Sequence, residues 1–261
     1  MSALLTFVAW TALANPRSLP FTYPTDSLPA GAAEVELYGD WTPAAALSSS
    51  TGQPVLFGAT QFQVEVEYGL TDRLELGLYL TVAPSAGEEF ASTPVMPDGN
   101  GLKQRLRYRL ADPGDWPVDV ALYAELVENQ REIELEAKVL LQRRFGSIAV
   151  RLNLWGEREF YFSGQRDWVL NPTAGVSWEI RPSIHLSLDS WMRVEFPEPA
   201  PDPRPFAVGP HVYVGPALML NPGPIWWSIA AYVRVTSLGR ALQPGDAFGD
   251  MWIRSIVGIS L

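Results

Sequence analysis

Phe62-Gln63-Val64-Glu65-Val66-Glu67-Tyr68, then Gly69-Leu70-Thr71-Asp72, then Arg73-Leu74-Glu75-Leu76-Gly77-Leu78-Tyr79-Leu80-Thr81-Val82 is two alternating runs joined by a tight turn. Phe62, Val64, Val66 and Tyr68 fall on one side of the first run, and Leu74, Leu76, Leu78, Leu80 and Val82 on one side of the second. Successive strand residues point to opposite faces, so each run presents one oily face and one carrying Gln63, Glu65, Glu67, Arg73 and Glu75. A soluble antiparallel sheet can show the same pattern. Repetition along the chain separates the two cases.

The alternation recurs in segments near 32–42, 60–69, 73–83, 101–111, 116–128, 131–144, 147–158, 168–180, 183–196, 207–220, 225–237 and 250–261, twelve in all. Short spacers at Gly69 to Asp72, Asp112 to Asp115, Phe145-Gly146, Arg181-Pro182 and Asn221 to Pro224 alternate with longer ones at 43–59, 84–100, 159–167, 197–206 and 238–249. Only the connection near Asn129 breaks the rule. An even number of ten-residue strands with short turns at one end and long loops at the other is the pattern of an outer-membrane barrel. The expected fold is all-β, a single antiparallel transmembrane β-barrel of about twelve strands over residues 32–261.

Composition agrees. No segment reaches the ~20 apolar residues of a membrane helix, and a closed barrel needs only every second residue apolar. Mean hydropathy is +0.02. Trp41, Trp116, Trp168, Phe196, Trp226, Trp227 and Trp252 fall near strand ends, where aromatic girdles would meet the membrane interfaces. There are no cysteines, which excludes disulfides and thiolate chemistry, and the net charge of −10 gives no basic face for nucleic acid.

Residues 3–14 form a short apolar run ending in Ala12-Leu13-Ala14, the small-x-small form of a signal-peptidase site, so 1–14 read as a signal peptide. Residues 15–31, with Pro16, Pro20, Pro24 and Pro29, have no periodicity and read as an extended N-terminal segment, placed in the periplasm. Three Pro residues, Pro172, Pro210 and Pro216, fall within expected strands, where each removes a ladder donor.

If the apolar set faces lipid, the other set lines the lumen. The lumen-lining residues are then Glu34, Glu36, Glu65, Glu67, Glu75, Lys103, Arg105, Arg107, Arg109, Glu134, Glu136, His185, Asp189, Arg193 and Arg254. A basic ladder on the fourth strand between acidic ladders on its neighbours can pair across the sheet. Such a network either fills the interior or makes facing walls of a conduction path. Passive passage of small molecules is the first function this implies, and a non-conducting structural or interaction barrel the second. The expected partners are outer-membrane lipid and lipopolysaccharide, the barrel-assembly machinery and small solutes. No cofactor motif occurs, and there is no metal-binding spacing around His185 or His211.

The stretch from Tyr68 to Leu78 resembles a hairpin common in Gram-negative outer-membrane barrel families of poorly characterised function, including the channels associated with meta-pathway phenol degradation. The chain end from Ile253 to Leu261 is similar to the C-terminal strand that barrel-assembly machinery recognises, with Leu261 where such strands usually end in Phe or Trp. His185-Leu186-Ser187 resembles the His/Ser pair of outer-membrane phospholipase A, which implies a third function, lipid hydrolysis with Ser187 as nucleophile and His185 as base. In that family the pair faces lipid. Here Ile184, Leu186 and Leu188 take the lipid side, and a Pro-rich stretch stands where an orienting Asn would be.

Overall fold

The computed structural model describes residues 15–47, 51–83, 101–198, 208–238 and 249–261. Among these residues thirteen strands form one antiparallel sheet: β1 (Ala33–Leu47), β2 (Pro54–Gly69), β3 (Leu74–Val82), β4 (Gly101–Arg109), β5 (Asp119–Asn129), β6 (Glu132–Phe145), β7 (Ile148–Tyr161), β8 (Arg166–Leu170), β9 (Thr173–Arg181), β10 (Ile184–Glu198), β11 (Val208–Leu220), β12 (Ile225–Arg234) and β13 (Met251–Ser260). Pairing of β1 with β13, from Glu34 opposite Ser260 to Trp41 opposite Ile253, closes the sheet on itself. β8 and β9 both lie between β7 and β10, so they are two halves of one stave and the barrel has 12.

The single eighth strand expected at 168–180 is interrupted at Asn171-Pro172, because proline has no N–H to give to the ladder. Pro216 leaves the β11–β12 ladder without pairs between Val214 and Ala217, and the β10–β11 register shifts between Arg193 and Glu195, near Pro210. β1 and β2 run well beyond the expected 42 and 60, since backbone pairing continues through Pro43 and Ala44 where side-chain alternation has stopped. The eleventh stave, β12, ends at Arg234, short of the expected 237, before a short 3-10 turn at Val235–Ser237. Turns at one end are tight: in the hairpin that sets Phe145 opposite Ile148, Gly146 takes φ +59°, a value that favours glycine. The signal-peptide expectation and the loops at 84–100, 199–207 and 239–248 lie outside the described residues.

Burial is inverted relative to a water-soluble protein. Leu37, Val64, Leu80, Leu102 and Leu135 are exposed on the outer surface, whereas Glu34, Glu65, Glu75, Arg105 and Arg107 are buried inside. Large apolar side chains facing outward all round a closed sheet require lipid as the outer solvent. The protein is an outer-membrane barrel. Trp41, Trp116, Trp168 and Trp227 face outward, but Trp226 and Trp252 do not join a girdle. Both are buried, donating their indole N–H to Glu34 (3.0 Å) and Asp40 (2.8 Å).

Residues 15–31 also depart from expectation. The segment is extended and without regular structure, but it lies inside the barrel, with Arg17, Ser18, Leu19, Thr22, Thr25 and Leu28 almost fully buried. It enters at the tight-turn end, where the Gly31 N–H donates to the Gly69 carbonyl at 2.8 Å.

The outward face yields a direct prediction. Leu80→Arg should destabilise the barrel by about 2–4 kcal/mol, the cost of a cation near the bilayer midplane, as read from denaturant titration in lipid vesicles. An unchanged titration midpoint would mean that this face does not meet lipid.

Candidate functional site in the barrel lumen

The inward side chains of β1 to β4 form the densest part of the lumen. Strand register sets Glu34 opposite Glu67 and Glu36 opposite Glu65, so carboxylates face carboxylates across the ladder, an arrangement that is unfavourable on its own. Arginine from two strands away relieves it. Arg105 lies across Gly77, its direct partner on β3, and reaches β2 beyond. A Cβ at Gly77 would sit 2.5 Å from Arg105 Nε, so the missing side chain is what opens this path. Arg105 donates from Nε to Glu65 (2.7 Å) and to the Tyr79 hydroxyl (2.8 Å), from Nη1 to Glu75 (2.7 Å), and from Nη2 to Glu67. Arg107 donates to Glu75 at 2.6 Å.

Two arginines do not balance five carboxylates. The third comes from the N-terminal segment: Arg17, its only base, places Nε 3.1 Å from Glu36 and Nη2 3.0 Å from Glu65 and 3.1 Å from Glu67. Its guanidinium also lies 4.2 Å from the centroid of the Tyr23 ring. The four prolines keep the segment out of helix and leave several backbone N–H groups for the wall. Phe21 N–H and the Thr22 hydroxyl donate to Asp189 (2.9 and 2.6 Å), Leu28 N–H to Glu75 (2.7 Å), and Asn15 N–H to Glu34 (3.1 Å). Phe21 stacks on Trp191 (4.9 Å between centroids) beneath Arg254, and Leu19 fills the space left by Gly175. At the turn end Asp26 accepts from Gln142 (3.2 Å) and Arg144 (2.7 Å). Burial pushes the Asp26 carboxyl up, but Arg144 and Arg151 outweigh it and hold the group below its ordinary range.

The segment divides the lumen. Toward the long loops lies a cavity of about 90 Å³ lined in part by Lys103, Glu125, Glu134, Lys138, Trp155 and Arg193. Toward the tight turns lies another of about 320 Å³, lined in part by Asn15, Asp26, Arg151 and His185. Of the residues singled out from sequence, Glu34, Glu36, Glu65, Glu67, Glu75, Arg105 and Arg107 come together in the network around Arg17, and Lys103, Glu134, Glu136 and Arg193 in the outer cavity. Asp189 binds the segment, and Arg254 pairs with Asp40 at 2.7 Å. Arg109 stands apart at the turn-end rim, donating to the Asp72 carbonyl and pairing with the exposed Asp112 at 3.3 Å. His185 and Ser187 share the inward face, and no hydrogen bond joins them among the described residues. One carboxylate oxygen from each of Glu34, Glu36 and Glu67, and likewise from Glu134, Glu136 and Glu157, lies within 4.8 Å of its fellows; Arg17 occupies the first group.

Sequence reading missed Arg17, Phe21 and Tyr23. The available signal was the acidic excess on the first two strands, which needed a cation from outside the barrel pattern.

No protein-family model matches the sequence, and no curated protein matches it by sequence. Solved structures do match in fold. The NanC porin, in a rhombohedral crystal form, is similar over 87% of this chain and 100% of its own, with 12% identity and a TM-score of 0.58. The COG4313 outer membrane channel from Pseudomonas putida F1 is similar over 91% of this chain and 98% of its own, with 14% identity and a TM-score of 0.58. At such identities the likeness establishes a shared barrel fold.

The network predicts unequal costs along one ladder. Arg105→Met should lower the free energy of unfolding by about 3–5 kcal/mol, because it strands buried carboxylates. Arg109→Met, at a partly exposed rim, should cost under about 1 kcal/mol. Urea titrations of the two variants side by side check this, and equal costs would contradict a buried network centred on Arg105.

Proposed function

We propose that this protein is a channel for small polar solutes whose constriction is its own N-terminal segment. The observation that carries the reading is the pair of cavities, one on the long-loop side and one on the tight-turn side, separated by residues 15–31 and the side chains that hold them. A wall of charged and hydroxyl groups on both sides offers hydration substitutes to a polar solute. Because the segment is tied by hydrogen bonds and ion pairs to a rigid barrel and contributes no strand, it can shift without opening the sheet. The hairpin resembling channels associated with meta-pathway phenol degradation points to the same class of function but names no solute.

A second reading is a non-conducting barrel, favoured by the extent to which the network around Arg17 and Arg105 fills one side of the lumen. Single-channel recording in planar bilayers separates the two. The channel reading predicts a small, discrete conductance for the intact chain and a severalfold larger one for a variant lacking residues 15–28. Silence from both proteins would leave the barrel as a structural element.

A further inference from the structure

The outer cavity carries an electrostatic imbalance that the plugged-channel reading does not use. Register sets Glu125, Glu136 and Glu157 directly opposite one another on β5, β6 and β7, and Glu134 opposite Glu159 in the adjacent row. Directly opposed like charges destabilise a sheet, so two adjacent rows of them need compensation. Lys138 pairs with Glu136 at 2.8 Å; Arg193 takes Glu157 at 2.9 Å and Glu159 at 2.6 Å; Lys103 approaches Glu125 at 3.8 Å. Arg193 also takes Glu195 at 2.8 Å, so among the described residues three cations serve six carboxylates. The residue left over is Glu134: it is only 7% exposed, it lines the cavity, and no hydrogen bond or ion pair reaches it among the described residues.

We propose that the outer cavity is a binding site for a hard divalent cation of the calcium or magnesium class, with Glu134 as principal ligand and Glu136 and Glu157 flanking it. Geometry supports it: the three carboxylates bring oxygens within 4.8 Å of one another, and oxygens bound to one calcium ion at about 2.4 Å can be at most about 4.8 Å apart. Charge agrees as well, since carboxylates outnumber Lys103, Lys138 and Arg193 around the cavity and a divalent ion offsets part of that excess. The donor set is all oxygen, which suits a hard ion over a thiophilic one. Among the described residues Glu134 accepts no hydrogen bond, whereas Glu157 already accepts from Asn171 (3.1 Å) and Arg193, so Glu134 supplies the free coordination and the others its negative surroundings.

The test uses the full-length barrel in a non-ionic detergent, stripped with chelator and then given calcium chloride, with thermal unfolding as the readout. Calcium should raise the unfolding temperature of the unaltered protein by several degrees in a concentration-dependent way. Glu134→Gln should be more stable than the unaltered chain in chelator, because the opposition to Glu159 is relieved, and should gain nothing from calcium. A Glu198→Gln control at the rim should keep the full calcium response. Terbium luminescence gives a reading without altering any carboxylate: it should be sensitised through Trp155, Trp191 and Trp252, which line the same cavity, competed away by calcium, and weakened in Trp155→Phe. Equal calcium responses in the unaltered and Glu134→Gln proteins, no response in either, or stabilisation by putrescine but not by calcium would overturn the assignment.

Discussion

Everything else in this molecule follows from one constraint: a sheet closed in lipid must send its apolar side chains outward, so its charges are forced into a narrow interior. Period-two alternation on twelve staves then stacks like charges beside one another. Glu36 opposite Glu65, and Glu134 opposite Glu159, are consequences of pleat and register as much as of composition. A buried charge is tolerated only when paired and hydrogen-bonded. The interior is therefore organised around the supply of cations to carboxylates.

On one side of the lumen that supply comes from three arginines. Arg105 and Arg107 arrive from β4, one of them by crossing a glycine, and Arg17 arrives from a segment that belongs to no strand. The segment is held inside because the wall is incomplete without it. In the proposed channel the same fact gives the constriction its character: the solute path is narrowed by a peptide fixed by polar contacts, which exchange with water more readily than a packed apolar core would. The outer cavity repeats the problem without a second peptide to solve it, and an ion from outside is the remaining source of positive charge.

Much of this was legible in the sequence, and the limits are physical. The hairpin of Phe62 to Val82 alone shows which side of each strand meets lipid: Val64 and Leu80 are exposed, Glu65 and Glu75 buried. Adjacent Trp226 and Trp227 must face opposite sides, so one had to enter the lumen, yet aromatic content near strand ends suggests a girdle for both. Alternation likewise says which residues face inward but not how far they reach, so Arg105 and Arg109 look alike in the sequence while one spans to β2 and the other stays at the rim. The N-terminal segment has no period at all. Its placement depends on summing charge over neighbouring strands, where the acidic excess of β1 and β2 asks for the single arginine of residues 15–31.

The position of this segment inside the barrel can be tested directly. The chain has no cysteine, so a pair can be introduced without background: Leu19→Cys on the segment and Gly175→Cys on β9, where a Cβ would come 2.7 Å from the Leu19 side chain and 2.9 Å from the Leu188 carbonyl oxygen, so β10 must give slightly to admit it. Mild oxidation of the folded, membrane-inserted double variant should join the two residues within one molecule, shifting its mobility on non-reducing gels and leaving neither thiol open to a membrane-impermeant maleimide. A double variant that stays uncrosslinked, with Cys introduced at 19 labelled as fast as a thiol in an unfolded chain, would show that the segment lies outside the lumen and would contradict the account.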